Sequence, residues 1–119
     1  MSLENIKLQR VIQEFRFLDP EMQMQTALAF LLVADRDRNG NITTVSDVGN
    51  YLGLSSASAS RNVALLSRFS RKGTHGHDLI SLNENPARRN EKHIKLTDKG
   101  KALMSRLEEY INVSHSQGE

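Results

Sequence analysis

The segment DRDRNGNI, Asp35 to Ile42, carries the clearest ligand-like spacing in the chain. Asp35, Asp37, Asn39, Gly40 and Ile42 match positions one, three, five, six and eight of an EF-hand calcium loop. That chemistry needs a bidentate glutamate at the twelfth position, where this chain has Ser46, with Asp47 one place late. Arg36 and Arg38 also lower the negative charge a divalent cation requires. A polar turn entering a short strand, Asn41 to Thr43, accounts for the same residues without an ion. The second candidate is a set of histidines, His75, His77 and His93, whose HxH spacing on a strand would place two rings on one face. The chain has no cysteine to complete a thiolate site. The expected role of the histidines is positive charge beside a polyanion, with no metal and no other cofactor. No acid or nucleophile constellation has catalytic spacing, so an enzyme is not expected.

The third candidate is a contact surface rather than a reactive centre. In SSASASRNVALLSRF, Ser55 to Phe69, Ser55 is a good N-cap, and Ala59, Val63 and Leu66 recur on one side. The other side holds small, polar and basic residues. Short side chains near a helix N-terminus let its backbone approach base edges in a DNA major groove. Ser56, Ala57, Ser58 and Ser60 meet that need, and Arg61 and Asn62 add reach. A serine-rich linker is the competing reading of SSASAS, but capped helical patterns abut it on both sides. Phosphate contacts are expected from Thr44, Arg68, Arg71 and Lys72, and from Arg88, Arg89 and Lys92 further on.

These residues need a frame. Thr44 can cap a preceding helix with Asp47 three positions on, and Val45, Val48, Tyr51 and Leu52 give that helix a buried face. Gly53 ends it and Leu54 fills the corner, so two helices meet at a sharp turn. Upstream, Ser2 caps an amphipathic helix over residues 2 to 18, whose stripe Leu3, Ile6, Val11, Ile12, Phe15 and Leu18 is too apolar for a lone exposed helix. Asp19, Pro20 and Glu21 read as the start of a second helix reaching about Ala34, with Ala27, Leu28, Leu31 and Leu32 buried. Downstream, Asp78 to Asn83 and His93 to Thr97 alternate as strands, and ENPARRNEK between them reads as the tip of a long hairpin. Arg88, Arg89 and Lys92 would then sit at that tip. Thr97 begins a final helix, with Asp98 in its first turn and Leu103, Leu107, Tyr110 and Ile111 at helical spacing, and VSHSQGE reads as a frayed tail.

With 119 residues, 38% hydrophobic and 25% charged, the composition suits a soluble globular protein. No membrane span or signal peptide is visible, and a cytoplasmic location is expected. Aromatic content of 5% and the absence of tryptophan argue against a stacking platform for single strands. The net charge of +2 is unevenly spread, with five basic against seven acidic residues over 1 to 60, ten against four over 61 to 101, and one against three over 102 to 119. A basic middle between acidic ends fits one phosphate-facing surface.

The order helix, helix, TTVSDVGNYLGL, SSASASRNVALLSRF, wing and then IKLTDKGKAL resembles the MarR-type winged-helix transcriptional regulators over roughly residues 20 to 111. Its most specific piece is Leu96, Thr97, Asp98, Lys99 and Gly100. Members of that family often carry an Asp-x-Arg pair about eight residues before the Leu-Thr. Here that register offers Arg88 and Asn90, with Arg89 the nearest arginine. The resemblance implies a mainly α fold with a small β wing: an N-terminal helix (1–18) suited to dimerisation, a winged helix-turn-helix (19–97), and a C-terminal helix with its tail (98–119). It also implies a double-stranded DNA partner, the second motif helix in the major groove, and a homodimer through the terminal helices. A small-molecule effector has no support in the residues. The alternative from another class is a winged helix serving as a protein-interaction or assembly module, with its apolar N-terminal helix as the contact.

Overall fold

A computed structural model describes residues 2–68 and 75–113, with Arg89 and Asn90 described by backbone alone. The helices are α1 (Leu3–Leu18), α2 (Met24–Arg38), α3 (Val45–Leu52), α4 (Ser56–Leu66) and α5 (Asp98–Asn112). The strands are β1 (Thr43–Thr44), β2 (Ile80–Asn85) and β3 (Arg88–Leu96), forming an antiparallel sheet in the order β1-β3-β2. This is the expected α+β winged helix-turn-helix with a helix on either flank.

Local capping chemistry sets four of the five helix starts. The hydroxyls of Ser2, Thr44, Ser55 and Thr97 accept from the backbone N–H groups of Asn5, Asp47, Ser58 and Gly100. Each satisfies one donor that the helix itself leaves unpaired. At α3 the cap is reciprocal, because the Asp47 carboxylate accepts from the Thr44 N–H at 2.9 Å. Gly53 ends α3 at φ +69°, a left-handed conformation that glycine takes without strain. α4 stops at Leu66, short of Phe69, and Ser67 closes it with its hydroxyl on the Ala64 carbonyl. Phe69 and the tail residues 114–119 lie outside the described residues.

α2 differs from its expected form at both ends and in its buried face. Asp19 is the C-cap of α1, and its Oδ1 accepts from the Glu21 N–H at 2.8 Å, so Asp19, Pro20 and Glu21 form a turn and the helix begins only at Met24. At the far end α2 continues through Asp35 and Asp37 to Arg38, so the segment with calcium-loop spacing begins as helix. Arg36 holds the following turn, donating to the Thr43 hydroxyl at 2.8 Å and the Ile42 carbonyl at 2.7 Å. The short strand is accordingly Thr43–Thr44 rather than Asn41 to Thr43. The fully buried side of α2 is Thr26, Ala29, Phe30, Val33 and Ala34; of the residues expected there, Ala27, Leu31 and Leu32 pack half-buried against the core and Leu28 is exposed. Phe30 is fully buried at the centre of this side.

One core joins all layers: Phe15 of α1, Phe30 and Val33 of α2, Val48, Val63 and Leu66 of the helix-turn-helix, Leu79, Ile80 and Ile94 of the wing base, and Leu103 and Leu107 of α5. Phe15 and Phe30 meet edge to face with centroids 6.0 Å apart. Tyr51, expected in the buried face of α3, is exposed. Tyr110 is half-buried and gives its hydroxyl proton to the Glu14 carboxylate, while Ile111 faces outward. The wing is longer than expected. Ile80 pairs with Leu96 and Leu82 with Ile94, and the ladder continues to Asn85 opposite Arg88 past an irregularity after Glu84. Only Pro86 and Ala87 remain as the turn, so Arg88 and Lys92 belong to β3, as does the backbone of Arg89, rather than to a loop tip.

The LTDKG segment fastens this wing to α5. Thr97 gives its hydroxyl proton to the Asp78 carbonyl at 2.7 Å, and the same oxygen accepts from the Gly100 N–H at 3.0 Å. Asp78 takes φ 56° to present that carbonyl.

Candidate nucleic-acid interface

α4 is held at its start by Ser55 and at its base by Ala59, Val63 and Leu66, all three buried. That packing leaves Ser56, Ala57, Ser60 and Arg61 exposed on the opposite side, with Arg68 exposed just past its end. The helix thus presents short side chains at its N-terminal turn and a guanidinium one turn on. No other described element covers this side.

A groove of about 750 Å³ runs between α4, the start of α3 and the wing. Thr44, Ser46, Ser60, Arg88, Glu91 and Lys92 line it. Four residues picked from the sequence for contact with a nucleic acid, Thr44, Ser60, Arg88 and Lys92, therefore share one surface although they span nearly fifty positions. Ser46 and Glu91 join them although their sequence context does not mark them as contacts. Ser46 was readable as a small residue in the first turn of a capped helix. Glu91 was obscured because its segment read as a loop. Its carboxylate lies 3.8 Å from an Arg88 nitrogen and 3.5 Å from His93 Nε2, so it anchors the basic strand from within.

On the other flank of α4, a polar hollow of about 390 Å³ is lined by Asp19, Glu21, Gln23, Thr26, Ser58, Arg61, Asn62 and His77 among others. His77 Nε2 stands 3.6 Å from the Asp19 carboxylate. Burial pushes the imidazole below its ordinary pKa; Asp19 opposes that shift and Lys99 adds to it. His77 is therefore held towards its neutral form, contrary to the expectation that it contributes positive charge. The histidines are dispersed rather than clustered: His93 sits in β3 beside Glu91, and His77 in the connection leading to β2. Among the described residues no group of three or more His, Cys, Asp or Glu side chains is placed to hold a metal ion.

Asn62 corrects the sequence reading most clearly. Expected to reach a base, it is only 3% exposed and faces α2. Its amide accepts from the Thr26 hydroxyl at 2.6 Å and donates to the Ser58 carbonyl at 2.8 Å. Ser58 is half-buried and its backbone is engaged on both sides, leaving Ser56, Ala57, Ser60 and Arg61 as the open face of α4. The Arg89 side chain, and Arg71 and Lys72 entirely, lie outside the described residues.

No family model matches the sequence, and no curated protein matches it. Solved structures do. MepR of S. aureus in complex with DNA superposes with a TM-score of 0.71 at 16% identity, over 92% of this chain and 78% of that one. AbfR in an overoxidized form bound to DNA gives 0.60 at 17% identity, over 91% of this chain and 73% of that one. BpsR of Bordetella bronchiseptica, whose DNA binding is regulated by 6-hydroxynicotinic acid, gives 0.58 at 15% identity, over 97% of this chain and 86% of that one. At these identities the likeness is one of architecture: this chain is built on the winged helix-turn-helix fold of the MarR-type regulators.

Proposed function

We propose that this protein is a sequence-specific double-stranded DNA-binding transcriptional regulator. In this reading α4 enters the major groove with Ser56, Ala57, Ser60 and Arg61 near base edges, while Thr44, Arg68, Arg88 and Lys92 meet phosphates. The observation that carries the reading is the open small-and-basic side of α4 beside a groove whose other wall is the basic strand of the wing. The two neighbours solved on DNA add support. Two copies are expected to pair through α1 and α5, since Leu8 (63% exposed) and Ile12 (48%) on α1 and Ile111 (53%) on α5 leave apolar surface on both terminal helices.

Replacing Arg61 tests the reading at one residue. With a duplex selected from a random pool, Arg61→Ala is expected to weaken binding about tenfold or more, the discrimination carried by one good base contact. With a random duplex the loss is expected to be about twofold. Equal losses on both, measured by titration at one salt concentration, would demote Arg61 to a phosphate contact.

The apolar hollow of about 560 Å³ between α1 and α2, with Ile12, Met24 and Leu28 exposed around it, favours a second reading as a protein-docking module. In that case no duplex of any sequence is retained at low salt.

A further inference from the structure

We infer that Asn62 is a positioning residue, whose amide fixes the base-reading end of α4 against α2. The inference rests on the proposal that α4 contacts DNA and adds how that helix is held in register. Asn62 and Thr26 are 3% and 1% exposed, so both polar groups are buried where the middle of α4 packs on the first turn of α2. Asparagine is a poor residue inside a helix because its amide competes for backbone partners. An aliphatic side chain would fill the same place with no polar group to satisfy. Here every polar atom is matched: no buried side-chain nitrogen or oxygen among the described residues lacks a partner.

The geometry of the match is directional. The Ser58 carbonyl can only accept, so the Asn62 nitrogen must face it, and the amide oxygen is thereby turned to the Thr26 hydroxyl. Ser58 is in turn fixed from the other side, its N–H donating to the Ser55 hydroxyl at 3.1 Å. The chain Thr26, Asn62, Ser58, Ser55 thus runs from the first turn of α2 to the cap of α4. Aliphatic contacts alone tolerate sliding and rotation; the 2.8 Å bond within α4 fixes the direction of the Asn62 amide, and the 2.6 Å bond from Thr26 then ties α4 to α2 at one defined point. A small rotation of α4 would carry Ser60 and Arg61 off their base edges while leaving phosphate contacts, which are less exacting, largely in place.

The test pairs an isosteric double variant, Thr26→Val with Asn62→Leu, with the single Thr26→Val, which cuts only the tie to α2. Removing both partners together leaves no stranded polar group between them. Each variant is titrated at equal folded fraction against a selected duplex and a random one. The expected result for the double variant is unchanged random-duplex affinity within about twofold and a selected-to-random ratio about tenfold lower, the discrimination lost with one misaligned base contact. Thr26→Val lowers the ratio less, and Thr26→Ser, which keeps the hydroxyl, restores it. Amide exchange supplies a readout independent of DNA: in Thr26→Val, exchange is expected to quicken at residues 58–62 and not across the core. A ratio unchanged within twofold in both variants, or exchange that quickens uniformly, overturns the inference. Wild-type protein that retains no duplex sinks the DNA reading instead, and the exchange pattern then decides the positioning role by itself.

Discussion

Raising the salt from 50 to 200 mM is expected to lower the affinity of this protein for duplex DNA by about three to five decades, the fall that accompanies neutralisation of six to ten phosphates. The number follows from the placed side chains. Arg68, Arg88 and Lys92 are exposed on or beside the α4 and wing surface, so a two-fold pair would bring about six described cations to the phosphates. Each neutralised phosphate releases condensed counterions, and that release weakens as bulk salt rises. The terminal parts of the chain are acidic on balance, with seven acidic against five basic residues over 1 to 60, so the effect is not one of overall charge. Titrations at four salt concentrations would give the slope directly. A slope near zero would mean that the basic wing faces water alone.

The second large effect is on the fold. Gly100→Ala is expected to cost more than about 3 kcal/mol, lowering the melting temperature by roughly ten degrees or more. In an ordinary helix the same exchange is stabilising by about 1 kcal/mol, so even the sign is diagnostic. A Cβ at position 100 would stand 2.1 Å from the Leu79 carbonyl oxygen and 3.3 Å from a Leu96 methyl. The Leu79 carbonyl is not free to retreat, because it accepts from the Thr97 N–H at 3.1 Å. Helix α5 would have to lift from the wing base, taking Leu103 and Leu107 out of the core. Thermal melts of the two proteins decide it, and a variant as stable as the parent would mean the contact between α5 and the wing base is looser than described.

That glycine also shows what could be read from the chain alone. The pattern of LTDKG stood out in the sequence, but its reason is a carbonyl twenty-one positions upstream, invisible until strand and helix are packed together. The caps Ser2, Thr44 and Ser55 were legible because each acts within three residues of itself, whereas Thr97, expected as the first residue of its helix, is that helix's cap. Gly53 was legible for the same reason. The start of α2 misled because Asp19 and Pro20 serve turns and helix starts equally well, and the choice was made by the end of α1. The wing misled because strand pairing is non-local: ENPARRNEK contains turn residues throughout, yet Glu84 pairs with Lys92 and Asn85 with Arg88, leaving only Pro86 and Ala87 between the strands.

The interface divides along the same line. Ser56, Ala57, Ser60 and Arg61 were found by helical period, which needs only near neighbours. Asn62 follows Arg61 in the chain and has every attribute of a base-reading side chain. Its true partner, the Thr26 hydroxyl, is thirty-six residues away on another helix. A polar residue one step off the open side of a helix can be read either way until the opposing helix is in place. Glu91 escaped notice for the converse reason, since its pairing with Arg88 and His93 requires the strand that its local sequence disguises.

Selection from a pool of random duplexes shows whether the exposed side of α4 reads duplex sequence. A two-fold symmetric sequence with half-sites about one helical turn, roughly 34 to 36 Å, apart is the expected recovery. Recovery of a pool as random as the one supplied would contradict it.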